Sequence, residues 1–259
     1  MPDPTARFGD RVADYVATRP GYPPGVLDIL RDQAGLTESS VIADVGSGTG
    51  LSAEMFLKVG NTVCGVEPNA AMRAAGEAFL VRYPHFHSVA GTAEDTTLPD
   101  ASVDLILAGQ AFHWFDPARA RAEFRRVLRP GGAVALMWNT PRTDASPFLR
   151  GYEALLQRFG TDYREVVHTN VDRAKLAAFF GPGGFQSFQL DNEQLFDRDG
   201  LRGRLRSSSY TPPPGDPNFE PMMAELDRLF DAFHEGGRVR FEYDTNLYVG
   251  RLGRGEPPA

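Results

Sequence analysis

Three glycines within five residues, Gly46, Gly48 and Gly50, follow the apolar run 41–45 in "VIADVGSGTGLS". Glycine this dense lets a chain turn at positive φ or lie close against a ligand. A turn between a strand and a helix also exposes backbone N–H groups, so the first expectation is a loop whose free N–H groups face a polar or anionic ligand. A phosphate-binding P-loop needs a lysine followed by Ser or Thr behind the glycines, and the chain continues Leu51–Ser52 without one. A dinucleotide fold wants G-x-G-x-x-G/A, with a small third residue where helix and strand pack. Here that position is Leu51, and the spacing is G-x-G-x-G.

Two carboxylates complete the constellation. Asp44 lies inside the apolar run, and an unpaired buried carboxylate is costly, so a donor or a cation should stand near it. The α-ammonium of a bound amino acid would serve, whereas a dinucleotide offers no cation at that spot. Glu67 ends the next apolar run, where an acid accepts both hydroxyls of a ribose and repels the 2′-phosphate of NADP. Its competing reading is a solvated strand end.

Such residues need a rigid sheet edge to hold them, and residues 40–140 have the pattern of one. Apolar runs at 41–45, 62–67, 86–91, 103–109 and 133–139 alternate with amphipathic segments, as βαβ units on a parallel sheet do. Val41, Ile42 and Val45 show no clean alternation, which suits a strand covered on both faces. Asp116–Pro117 and Ser146–Pro147 read as helix starts, an N-cap followed by proline. In the first of these helices Ala120, Phe124, Val127 and Leu128 share one face, Arg121, Arg125 and Arg129 lie off it, and "RPGG" at 129–132 ends it. Beyond residue 140, alternation at 185–197 and 238–250 marks antiparallel strands, and the proline-rich stretch 210–221 marks a loop.

The 259 residues carry a net charge of −7, with 42% hydrophobic and 24% charged, which fits one large α/β domain with an ample core. No stretch approaches the ~18 uninterrupted apolar residues of a membrane span. The N-terminus lacks the apolar centre of a signal peptide, and Cys64, the single cysteine, allows no internal disulfide. The expectation is a cytoplasmic chain with no membrane partner. Its acidic balance argues against a nucleic-acid partner. His85 and His87 form an H-x-H pair, but a transition metal wants further ligands, so no metal is expected.

Four segments, read in order, point to a family. "ADVGSGTG" with Glu67, "GTAEDTTLP" at 91–99, "SVDLILAGQAFHWFD" at 102–116 and "RRVLRPGG" at 125–132 resemble the class I S-adenosylmethionine-dependent methyltransferases. "YVATRPGYP" at 15–23 and "GQAFHWFD" resemble the trans-aconitate methyltransferase-like small-molecule subgroup. The resemblance covers roughly residues 40–140. It implies an α/β fold with a Rossmann-like, seven-stranded, mostly parallel sheet, an antiparallel last strand and helices on both faces. A single domain over 1–259 would comprise a lid segment at 1–35, a cofactor-binding core at 36–140, and a C-terminal part at 141–259 with a substrate-covering insertion.

The cofactor implied is S-adenosyl-L-methionine and the product S-adenosyl-L-homocysteine, with a small molecule as acceptor. Asp44, Gly46, Ser47, Gly48 and Gly50 match the positions that hold the methionine moiety, and Glu67 the one that holds the ribose. Pro68 and Met72 would pack on the adenosine. The family usually has an aspartate where Thr92 stands, so the Thr92–Ala93–Glu94 stretch would set the adenine edge through the Ala93 backbone and Glu94. Gln110 and Ala111 would line the sheet edge beside the sulfonium. The lid would bring Tyr15 and Arg19 to the cofactor, with Arg19 offered to the cofactor's carboxylate or to an acidic substrate.

His113 is the other residue assigned to catalysis, as a general base or as a shape element. Shape is favoured: the methyl group of a sulfonium is already activated, and a carboxylate acceptor needs no base at neutral pH. Phe112 and Trp114 wall the sulfonium or pack against helices. Arg198, Arg202 and Arg206, four residues apart, share a helix face that is solvated, ion-paired or a binder of carboxylate. The rival readings are an NAD-dependent oxidoreductase, opposed by Leu51, and a cofactor-binding protein that transfers no methyl group.

Overall fold

The computed structural model describes residues 18–161, 163, 173–208 and 210–253. Tyr15 and the other residues before Thr18 lie outside the described residues. Within them run α1 (Gly25–Ala34), β1 (Val41–Val45), α2 (Leu51–Leu57), β2 (Thr62–Val66), α3 (Ala70–Phe79), β3 (Phe86–Val89) and β4 (Val103–Gly109). There follow α4 (Pro117–Val127), β5 (Leu128–Pro141), α5 (Pro147–Phe159), α6 (Arg173–Phe180), β6 (Phe185–Phe196), α7 (Arg198–Arg206), α8 (Phe219–Phe233) and β7 (Val239–Gly250). The strands form one seven-stranded sheet in the order β3-β2-β1-β4-β5-β7-β6. β1 to β5 pair in parallel, and the last strands are antiparallel. This is the Rossmann-like, mostly parallel sheet that the resemblance implies.

The lack of alternation in the central strands now has its cause. Successive residues of β4 enter opposite cores: Leu105 and Leu107 pack with α1 and α2, while Ile106 and Ala108 pack with α4 and α6. β1 divides likewise, Ile42 to the first core and Ala43 and Val45 to the second. Both faces are dry, so every position is apolar apart from those with another task.

Chain contacts group into two compact units. A sheet unit comprises Gly21–Asn139, Val171–Leu190 and Thr245–Ala259, and a helical unit the rest of the chain. The helical unit has its own core, in which Tyr152 and Leu156 of α5, Leu201 and Leu205 of α7, and Leu226 and Phe230 of α8 meet Phe241 and Tyr243.

Local signals place most element ends. Asp116 caps α4 by accepting from the N–H groups of Ala118 and Arg119, with Pro117 at the first helical position. Ser146 caps α5 by accepting from Leu149 N–H. Two details differ from the sequence expectation. β5 starts at Leu128, directly after α4, so Leu128 belongs to the strand rather than to the helix face, and 129–132 lies within β5 rather than forming the stop of the helix. Arg121, off the apolar stripe, is nonetheless buried: its Nε donates to the Phe179 carbonyl at 2.8 Å and its Nη2 to that of Gly253 at 2.9 Å. A guanidinium can be buried where carbonyl oxygens take its donors, and periodicity alone does not show that.

Removing the α4 cap tests this local account. Asp116→Ala leaves two N–H groups without their acceptor and should cost about 1 kcal/mol, while Asp116→Asn should cost much less. Denaturant titration followed by circular dichroism measures both, and equal stability of Asp116→Ala and wild type would contradict the assignment.

Candidate cofactor-binding site

The strand order reverses its direction of growth between β1 and β4, and in such sheets ligands bind outside the carboxyl ends of those strands. After β1 the chain turns through Gly46, Gly48 and Gly50 at φ of 71°, 55° and 83°, the left-handed region that glycine adopts without penalty. A Cβ on Gly46 would lie 2.5 Å from that of Ala111, so the loops after β1 and β4 are in contact. Gln110 carries φ 58°, unusual for a residue with a side chain. Its N–H donates to the Met137 carbonyl at 2.8 Å and its Nε2 to that of Asn139 at 3.1 Å, which hold the strained turn.

The glycine loop does not offer the free N–H groups expected of it. Gly46 and Ser47 both donate to the Val66 carbonyl, at 2.8 and 3.1 Å, and Gly50 donates to Ser47 O at 2.8 Å. Gly48 N–H donates to Glu67 Oε2 at 3.0 Å. These four donors are consumed within the fold, and a phosphate would find none of them. The loop instead presents acceptors. Asp44 is fully buried, with Oδ2 accepting from Ser52 Oγ at 2.7 Å and Oδ1 left with no hydrogen-bond partner. Thr49 Oγ1 is a second buried atom lacking one.

Burial is the largest cause acting on Asp44 and lifts its pKa from 3.8 to about 7, with the Ser52 hydroxyl and the Ala53 backbone N–H opposing and the Glu67 charge adding. A buried carboxyl group with one idle oxygen suits an ammonium group, which would repay its desolvation. Glu67 is half-buried and held at both oxygens, the second by Asn69 N–H at 2.9 Å. Each carboxylate oxygen has a further lone pair, so an oriented Glu67 can still accept two hydroxyls.

Other predicted residues fall around this pair. Met72, buried on α3, brings its Cε to 3.4 Å from where a Gly48 side chain would begin. Pro68 is exposed, and its carbonyl accepts from Arg73 Nη1 at 2.8 Å. Ala93 is buried, whereas exposed Thr92 spends its hydroxyl on the turn, accepting from Glu94 and Asp95 N–H at 3.3 and 3.1 Å. Glu94 Oε1 accepts from Asp116 N–H at 2.8 Å, which ties this turn to the start of α4.

In the short 3-10 turn Phe112–Trp114, Phe112 packs among Phe115, Trp138 and Phe179 as a core residue, and Trp114 is exposed. Desolvation presses the His113 pKa down to about 4. Its solvent-facing edge limits that effect, and in either case the ring is neutral at pH 7. Among the described residues no cluster of three metal-ligating side chains occurs around His85 and His87 or elsewhere.

The arginines singled out in the sequence have partners within the fold. Arg202 pairs with Asp227 of α8 through both oxygens, at 3.0 and 2.6 Å, and Arg198 pairs with Asp231. At Arg198 and Arg202 the row is an ion-paired helix face, one of its expected readings, because α8 sets acids opposite them. Arg19 lies in the helical unit, where its Nη2 donates to the Ser207 carbonyl at 3.1 Å. Sequence reading missed Thr49 in the loop and Ser52 just after it; Ser52 stands eight residues beyond Asp44 with nothing in its type to single it out. It also missed Arg204, two residues from Arg202 and from Arg206, and buried.

Comparison with known proteins finds methyltransferase relatives. Residues 43–136 match the family profile of a methyltransferase domain. An uncharacterized methyltransferase of Mycobacterium tuberculosis is 38% identical over 165 residues, 64% of this chain and 65% of that protein. An uncharacterized methyltransferase-like protein of Schizosaccharomyces pombe is 35% identical over 156 residues, 60% of this chain and 59% of its own length. This chain thus spans about two thirds or less of the curated relatives it matches. Among solved structures, a candidate type II methyltransferase from Anaeromyxobacter dehalogenans superposes with a TM-score of 0.60 at 23% identity, over 90% of this chain and 98% of its own. The YcgJ protein of Bacillus subtilis does so with a TM-score of 0.53 at 22% identity, over 88% and 99%. Both likenesses are of fold.

The burial of Asp44 predicts a pH signature. A folded-state pKa raised from 3.8 to about 7 means the folded chain holds this proton more tightly than the unfolded chain. Its stability contribution is complete below about pH 4, is lost as pH rises towards 7, and is flat above, an upper bound of about 4 kcal/mol. Asp44→Asn should therefore melt above wild type at alkaline pH, with the difference vanishing near pH 4. Calorimetric scans across that range measure it, and a pH-independent difference would refute the assigned burial.

Proposed function

We propose that the chain is an S-adenosylmethionine-dependent methyltransferase acting on a small, carboxylate-bearing molecule. The observation that carries this reading is the pairing of an idle buried carboxylate oxygen on Asp44 with a loop in which the N–H groups of Gly46, Ser47, Gly48 and Gly50 are spent. That combination suits a ligand that is cationic at one end and a nucleoside at the other, and it disfavours a pyrophosphate. The methyltransferase-domain match over 43–136 supports the same conclusion.

When bound, the cofactor supplies a methyl group already activated as a sulfonium. Asp44 would take its ammonium group and Glu67 its ribose hydroxyls. Gly46, Ser47, Gly48 and Gly50 would let the chain pass close beside the methionine part, and Met72 with Pro68 would pack on the adenosine. Ala93 and Glu94 would set the adenine edge. Gln110 and Ala111 would close the sheet edge by the reacting centre, with neutral His113 as a shape element that excludes water. In this reading residues 36–140 hold the cofactor, and 1–35 with 141–259 recognise the acceptor, Arg19 among them. The chain works in the cytoplasm.

Calorimetric titration discriminates between the cofactors. Wild type should bind S-adenosylmethionine and not NAD, and Glu67→Ala should weaken that binding by ~2–3 kcal/mol, because two charge-assisted hydrogen bonds are lost. Transfer of labelled methyl from the cofactor into a metabolite extract should accompany binding. Binding of NAD instead, or unchanged affinity in a folded Glu67→Ala protein, would defeat the proposal.

A further inference from the structure

The helical unit holds a buried arginine of a different kind from the rest. Arg204 on α7 is 4% exposed. Its Nε donates to Tyr243 Oη at 3.4 Å, its Nη1 to Ser208 Oγ at 3.1 Å, and its guanidinium lies 5.4 Å from the centre of the Phe241 ring. Among the described residues no carboxylate stands within ion-pair distance of it, although Arg198 and Arg202 on the same helix both have acids. Beside it the Tyr152 hydroxyl is buried and has no hydrogen-bond partner. A guanidinium cannot shed its proton in a protein, so burial cannot neutralise it as it can a lysine or a carboxylic acid.

We propose that Arg204 and Tyr152 form a buried oxyanion site that takes the carboxylate of a small organic acid. Both groups are donors set in an apolar core, and what they lack in common is a negatively charged acceptor. Desolvation works against the Arg204 charge, but the surrounding oxygens of Tyr243, Tyr152 and Tyr210 outweigh it and hold the guanidinium above its ordinary range. The charge therefore persists when the site is empty, and two-oxygen geometry is what its planar fork matches. One guanidinium with a neutral hydroxyl balances the single charge of a carboxylate, whereas a phosphate monoester carries more. Arg19 hydrogen-bonds the carbonyl of Ser207, next to the Ser208 that holds Arg204, and so adds positive charge to the same cluster.

That the acid is the methyl acceptor rests on the proposed function; the site itself does not. The test uses the full chain with Arg204→Met, Arg204→Lys and Tyr152→Phe, probed by thermal shift with succinate, citrate, benzoate, benzamide and inorganic phosphate at constant ionic strength, and by titration with S-adenosylmethionine. Arg204→Met should fold, since replacing a buried charge by an apolar side chain of similar size is often neutral or stabilising. At least one carboxylate should raise the wild-type melting temperature while benzamide and phosphate do not. Arg204→Met should lose more than about tenfold in affinity for that acid, with Arg204→Lys and Tyr152→Phe between it and wild type. Its affinity for S-adenosylmethionine should stay within about twofold of wild type.

No carboxylate effect, an equal effect in Arg204→Met, or equal binding of benzamide would overturn the site. A large loss of S-adenosylmethionine affinity in Arg204→Met would show that the carboxylate held there is the cofactor's own, and would overturn the acceptor assignment. Arg204-dependent acid binding in a chain that binds no S-adenosylmethionine would leave the site standing and remove the methyl-transfer reading.

Discussion

Asp44 is a carboxyl group placed in the central strand of a parallel sheet, between Gly65 on β2 and Leu107 on β4, with no exposed surface. Every other arrangement at the carboxyl edge follows from tolerating it. Ser52 on the first turn of α2 supplies one hydrogen bond, which fixes how that helix begins relative to β1. The three positive-φ glycines let the chain reach that helix start over so short a distance. Glu67 then pins the middle of the loop from the neighbouring strand and adds a second negative charge nearby. The site is thus a concentration of acceptors at a point where most nucleotide-binding folds concentrate donors, and the sign of that field is what selects among nucleoside ligands.

The sheet unit can hold such a centre because both sides of the sheet are packed. Alternate residues of β1 and β4 enter separate cores, so the strands cannot slip by one residue without burying Asp44 on the wrong face. Among the described residues side chains at positive φ fall in loops, at Thr97, Ala101 and Gln110, and hydrogen bonds to Met137 and Asn139 hold the last of these.

Arginine shows how environment sets a side chain's role. Arg121 spends its donors on carbonyl oxygens, Arg202 on Asp227, and Arg204 on hydroxyls and an aromatic face, with no acid in reach among the described residues. The first two are structural solutions to placing a cation. The third is set in a core of tyrosines with the unpartnered Tyr152 hydroxyl, and that setting, rather than any property of arginine, directs attention to it.

The glycine spacing, Asp44, Glu67, the strand runs and the capped helix starts were legible in the sequence because each depends on local conformation or on a period of two or 3.6 residues. The parallel sheet was legible for the same reason: strands that stay apolar at every position must be covered on both faces. Sequence could not show where the loop's N–H groups go, because their acceptors, Val66 O and Glu67, come from the next strand. Nor could it separate Arg202 from Arg204, two residues apart on one helix. What distinguishes them is that α8 lays Asp227 beside one, while the other turns into a core of tyrosines. Periodicity reports which residues share a face; the partner that face meets comes from distant sequence, and the partner decides whether a charge is spent or held in reserve.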